Sequence, residues 1–162
     1  MFDPASPVTD MPDPVIRRAR HADIQAIVDM LADDPLGATR EAAGPPADPA
    51  YTVAFDAIDS DPNQFLAVAE CDGDIVGVLQ LSFIPGLSRR GAWRGQIESV
   101  RIHSKARGLG LGQQLFDWAI HTCRSRGCSL VQLTTDKSRR DAHRYYERLG
   151  FMASHLGYKR DL

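Results

Sequence analysis

The sequence predicts an α/β (α+β) domain built on a mixed, mostly antiparallel sheet, and three observations carry that prediction. Two apolar runs, 65–70 and 75–83, are joined through Cys71-Asp72-Gly73-Asp74, and Asp-Gly between such runs is the strongest short hairpin signal. A strand at 97–102, rich in β-branched residues, leads through a glycine loop into a helix and then to a further strand at 130–134. Two strands joined by a crossing helix run parallel. At 162 residues the chain is one domain by length, large enough for a true core.

In chain order, residues 1–14 are acidic and proline-rich and read as a mobile arm, which leaves 15–162 as the domain. Val15 to Arg20 reads as the first strand. Ile24, Ile27, Val28 and Leu31 mark one face of a helix that Pro35 stops, with Asp23 near its positive end. Pro35 to Pro49 is a loop long enough to be functional. Tyr51, Phe55 and Ile58 predict a second helix, ended by Asp61-Pro62. The hairpin follows, and then a basic turn around Arg89 and Arg90. Trp93 opens the strand that leads to the glycine loop, so 65–102 is an antiparallel meander. The helix over 110–126 ends at Gly127, and a last helix over 139–149 stops at Gly150. Phe151 to His155 and Tyr158 to Leu162 are expected to form a final strand pair.

Composition narrows the function. Apolar residues make up 43% and charged residues 25%, ordinary values for a globular chain, and no apolar run reaches membrane-spanning length. The N-terminus lacks the basic and apolar regions of a secretory signal. Three cysteines without metal spacing suggest reduced thiols in a cytoplasm. Net charge is −2 but uneven: residues 1–81 carry −11 and residues 82–162 carry +9. Either the basic half receives an anionic ligand or the two halves attract each other. The near-neutral total and the absence of a basic, aromatic-studded stripe argue against nucleic acid.

The glycine loop is Arg107-Gly108-Leu109-Gly110-Leu111-Gly112. The first N–H groups of a helix lack internal acceptors, the helix dipole adds positive potential there, and glycines admit close approach of an anion. Gln113-Gln114 after Gly112 excludes the P-loop, which ends in Gly-Lys-Ser/Thr. Gln113 also stands where a dinucleotide fingerprint wants its third glycine. Arg107-x-x-Gly110-x-Gly112 instead resembles the Q/R-x-x-G-x-G/A motif of the GNAT acetyltransferase superfamily. Ala142-His143-Arg144-Tyr145-Tyr146-Glu147-Arg148-Leu149-Gly150-Phe151 resembles that superfamily's A-x-x-x-Y-E-K/R-x-G-F segment. The two motifs stand in the superfamily's order, with a strand between them.

This resemblance implies a GNAT-type sheet of six to seven strands, helices on both faces, and a splayed parallel pair at the cofactor cleft. It implies transfer of an acetyl group from acetyl-CoA to a primary amine by direct attack in a ternary complex. The loop 107–112 would hold the pyrophosphate, and main-chain groups around Val100 and Ile102 the thioester and pantetheine. Tyr146 aligns with the superfamily's general acid, while Tyr145 points elsewhere and packs. Glu98, the acidic residue of the central strand, is the candidate base, the alternative being an ion pair with Arg94 or Arg101. Arg139 stands where the superfamily often has a pantetheine-binding Asn, so that contact is in question, and Arg139 or Arg140 could instead meet a phosphate. The alternative to an enzyme is a non-catalytic acyl-CoA sensor. The acceptor is unreadable from the loops, and the resemblance admits a homodimer.

Overall fold

The structure, a computed structural model, describes residues 12–162. The arm expected over 1–14 lies outside it except for Pro12, Asp13 and Pro14. The described residues form one five-stranded sheet in the order β1-β2-β3-β4-β5. The strands are β1 (Val15–Arg18), β2 (Gln64–Cys71), β3 (Asp74–Pro85), β4 (Trp93–Ile102) and β5 (Cys128–Leu133). Neighbours β1 to β4 pair antiparallel, and β5 runs parallel to β4. Four helices flank the sheet: α1 (Ile24–Ala32), α2 (Pro49–Ser60), α3 (Leu111–Ser125) and α4 (Arg140–Arg148). Among the described residues no helix is long and apolar enough to cross a membrane.

Alternation along the strands divides the core into two layers. Val68 and Val78 face one side, where Ile27 and Met30 of α1 and Phe55 of α2 cover them. Leu79, Leu81 and Ile97 face the other, against Leu115, Phe116 and Ala119 of α3. Helix α2 begins on Pro49, with the Asp48 carboxylate accepting from the Ala50 amide at 2.8 Å. Strand β4 carries Gly95 because a Cβ there would collide with the Cys123 sulfur of α3. Gly95→Ala is expected to destabilise the fold by about 1–3 kcal/mol through overpacking, read as a lower midpoint in urea denaturation. An unchanged midpoint would show that α3 yields freely at this point.

Part of the uneven charge is met within the fold. Asp34 of the acidic half meets Arg101 at 2.9 Å and Arg139 at 3.9 Å, and Asp33 meets Arg107 at 3.1 Å. These pairs pin the loop after α1 to β4 and to the glycine loop.

The final strand pair expected at 151–162 is not formed, and among the described residues the sheet has five strands, short of the expected six or seven. Phe151 docks against Phe116 and Tyr146, at ring separations of 6.0 and 6.3 Å. Beyond it Met152, Leu156 and Tyr158 stay exposed. A strand holds its register by burying alternate side chains. These residues meet no apolar surface, and Ser154 closes a local backbone bond to Met152 at 2.9 Å instead of joining a ladder.

Candidate active site

The parallel pair β4–β5, at one edge of the described sheet, separates partway along. Pairing of β4 with β5 runs from Trp93 opposite Cys128 to Ile97 opposite Leu133, and stops there. Residues 98–102 of β4 continue without β5. At this point β4 is bulged: Glu98 lies opposite Gln80 and Arg101 opposite Val78, so Ser99 and Val100 together oppose Leu79. Ser99 adopts φ 54°, a strained conformation for a residue with a side chain. The His103 amide bonds back to Val76 on β3 at 2.9 Å. Strand alternation then turns the main-chain groups of Ile102 and Val100 toward the side that β5 has vacated. Their carbonyls accept from Arg107 Nε at 3.1 Å and Arg101 Nη1 at 2.8 Å.

The mouth of α3 opens beside this gap. Gly108 and Gly110 hold φ near 80°, in the left-handed region that favours glycine. Gly110 is the N-cap and has no side chain with which to cap the helix. The first helical bond runs from the Gln114 amide to the Gly110 carbonyl at 3.2 Å. The amides of Leu111, Gly112 and Gln113 therefore have no acceptor within the helix, and the dipole directs positive potential along them. Leu111 is buried beneath the mouth and Leu109 is exposed at its rim. The Arg107 guanidinium turns away from the amides, onto the Ile102 carbonyl and Asp33.

Helix α4 packs on the first turns of α3 through rings. Phe116 lies 5.7 Å from Tyr146 and 5.9 Å from Tyr145, centroid to centroid. Burial raises the Tyr146 phenol above its ordinary value, against the opposing pull of the Arg139 and Arg101 guanidiniums. Tyr146 is therefore a protonated phenol with two cations around it. Between those cations sits Asp34, which accepts from the Leu36 and Gly37 amides at 2.8 Å each. Burial works against ionisation of Asp34, yet the Gly37 and Leu36 amides with Arg101 and Arg139 hold its carboxyl below the usual range.

Of the residues read from the sequence, Tyr146, Arg139 and the free segment of β4 come together, and the glycine loop adjoins them. Arg139 reaches toward Asp34 rather than toward the amides of the loop. Glu98 is exposed one residue past the end of the β4–β5 pairing, with no ion pair among the described residues, while Arg101 is taken by Asp34. Asp34 and Arg101 escaped the sequence reading as a pair because 67 positions of chain separate them. The local signal was an Asp before Pro35 that forms an Asx turn. Cys123 is buried, and burial pushes its thiol up to about 12. Among the described residues no three His, Cys, Asp or Glu gather at a metal-binding distance.

A bulged strand parting from its parallel neighbour beside an uncapped, glycine-mouthed helix is the framework that the acetyltransferase resemblance implies. The chain belongs to the acetyltransferase (GNAT) family, whose model matches residues 24–151. It is 35% identical over 102 residues to an aminoalkylphosphonate N-acetyltransferase of Salmonella typhimurium, covering 63% of this chain and 66% of that one. It is 37% identical over 86 residues to a mycothiol acetyltransferase of Thermomonospora curvata, covering 53% of this chain. The matched stretch spans just under two thirds of the first relative and 27% of the second. Among solved structures, a protein of Bacillus halodurans described as a transcriptional regulator superposes with a TM-score of 0.89 at 50% identity. That superposition covers 92% of this chain and 99% of the other.

Proposed function

We propose that this protein is an acetyl-CoA-dependent N-acetyltransferase that moves the acetyl group to a primary amine by direct attack in a ternary complex. The parting of β4 from β5 after Ile97, beside the amides of α3, carries this reading. In it the loop 107–112, with Gly108, Leu109, Gly110, Leu111 and Gly112, holds the pyrophosphate through main-chain amides. Arg107 braces that loop. The pantetheine lies along the vacated side of β4, where main-chain groups of Val100 and Ile102 hold the thioester. Arg139 contributes charge near the Tyr146 end of the arm.

The steps follow from proton inventory. An alkyl ammonium has a pKa of about 10.4, so the acceptor loses a proton before it attacks, and Glu98 takes it directly or through water. The amine nitrogen then bonds to the acetyl carbon, and the carbonyl oxygen becomes an oxyanion beside the main chain of β4. Collapse breaks the carbon–sulfur bond, Tyr146 gives its phenolic proton to the departing thiolate, and the second proton lost by the former amine nitrogen returns through water to the phenolate. Buried, high-pKa Cys123 supports direct attack, since an acyl-cysteine route needs a thiolate.

The reading extends to residues 15–162 as a single catalytic domain, working in a cytoplasm where its three free thiols stay reduced. Its partners are acetyl-CoA and the amine, with no role for nucleic acid or membrane. A homodimer is compatible with it and not required. The likeness to the Bacillus halodurans protein favours a second reading, a module that senses acyl-CoA without turnover.

One experiment separates the two. Acetyl-CoA is offered with a panel of polyamines, amino acids, lysine peptides, aminoglycosides and aminoalkylphosphonates, and free thiol is followed. The expected result is amine-dependent thiol release with intersecting initial-rate lines. Parallel lines would overturn the ternary complex. Tight acetyl-CoA binding without release across the panel would favour the sensor, and no binding would remove both.

A further inference from the structure

Gly112 is a glycine for a different reason from Gly108 and Gly110. Those two occupy left-handed backbone, and nothing lies within 4 Å of where their Cβ atoms would stand. Gly112 sits inside α3, where any residue fits the backbone. Its missing Cβ would instead fall 2.9 Å from the hydroxyl oxygen of Tyr145 and 3.7 Å from the ring carbon that bears it. That hydroxyl is buried and has no hydrogen-bond partner among the described residues. A buried donor without an acceptor costs stability that a phenylalanine would not cost.

The ring has little freedom to step aside. Phe116 meets it edge-on at 5.9 Å, Tyr146 meets it at 5.9 Å, and the Arg148 guanidinium lies 5.7 Å from its centroid. One end of this wedge touches the first turn of α3, whose amides are free for an anion. The other end is the backbone of α4, one residue before Tyr146. We infer that Tyr145 is a positioning residue: its hydroxyl, lodged in the notch left by Gly112, sets the spacing between the phosphate-binding turn and the tyrosine that protonates the leaving group. The inference rests on the acetyltransferase reading and adds to it a reason for the third glycine of the loop. It also gives Tyr145 more than the packing role expected from the sequence.

Four proteins test it: wild type, Gly112→Ala, Tyr145→Phe, and the double variant. Gly112→Ala drives a methyl group into the hydroxyl, and Tyr145→Phe empties the notch. Displacements of a few tenths of an ångström at a reacting group lower kcat by on the order of tenfold, so each single variant is expected to fall by about that factor. KM for acetyl-CoA should change less than kcat, since the loop amides remain. In the double variant the methyl takes the space of the hydroxyl, and kcat should return to within about threefold of wild type, given the ordinary contact to the ring carbon. The assay is thiol release from acetyl-CoA with the fastest amine of the panel above, and Tm is measured on all four proteins without ligand.

A double variant no better than the product of the single losses would overturn the inference. Rescue of Tm with kcat unchanged throughout would also overturn it, leaving packing alone. Failure of the wild type to turn over acetyl-CoA would sink the underlying functional reading. The ligand-free Tm cycle still reports the contact in that case, so the two failures are told apart.

Discussion

Tyr146→Phe is expected to lower kcat by about 10²–10⁴-fold, the usual contribution of a positioned general acid, with KM for acetyl-CoA within about threefold of wild type. The ring stays, so its contacts with Phe116 and Phe151 persist and the fold should hold. What the proposed reaction would lose is a proton delivered where sulfur charge develops, an interaction made only as the bond breaks. The pH profile gives a second reading. Burial raises the Tyr146 phenol above its ordinary value, so the acid form persists through neutrality. The alkaline fall in kcat that reports its loss therefore belongs above about pH 10 in wild type, and it should vanish in the variant. Unchanged turnover in the variant would remove Tyr146 as the acid. A falling kcat with the alkaline limb intact would assign that limb to another group.

Gly110→Asp is expected to abolish acetyl-CoA binding, with a loss on the order of 10³-fold. Two unit charges about 4 Å apart near a protein surface repel by about 4 kcal/mol, which is about three decades in affinity. The new carboxylate would stand at the N-cap of α3, where the dipole and free amides favour an anion. Left-handed backbone at Gly110 adds a folding penalty of about 1–2 kcal/mol for a residue with a Cβ. Gly110→Asn has nearly the same shape and none of the charge, so it separates the two effects. It should lose about tenfold in affinity or less, for a similar change in Tm. Calorimetric titration of coenzyme A and of acetyl-CoA reads both variants. Normal binding by the Asp variant would mean that the phosphates lie elsewhere.

The elements of the site were legible because each is a local property. Glycines at 108 and 110 declare a left-handed turn, a helical stripe from Leu111 declares α3, and Tyr146 is marked by the motif around it. The hairpin at Asp72–Gly73 and the parallel return of β5 are likewise decided by turn chemistry and connection length. The expected strands at 151–162 failed for the opposite reason. A strand needs a neighbour and a surface, and neither is written in the segment itself.

The sequence alone determined a mixed α/β domain, a glycine-mouthed helix, a tyrosine within the last helix and a carboxylate on the strand that leads to the glycine loop. Tertiary structure alone decided that β4 bulges at Ser99 and leaves β5 after Ile97, and that Arg101 turns to Asp34 rather than Glu98. It alone set Tyr145 against Gly112. The physical reason is range: dihedral preference and helical periodicity act over a few residues. Close approach between segments 33 to 67 positions apart exists only once the sheet has brought them together.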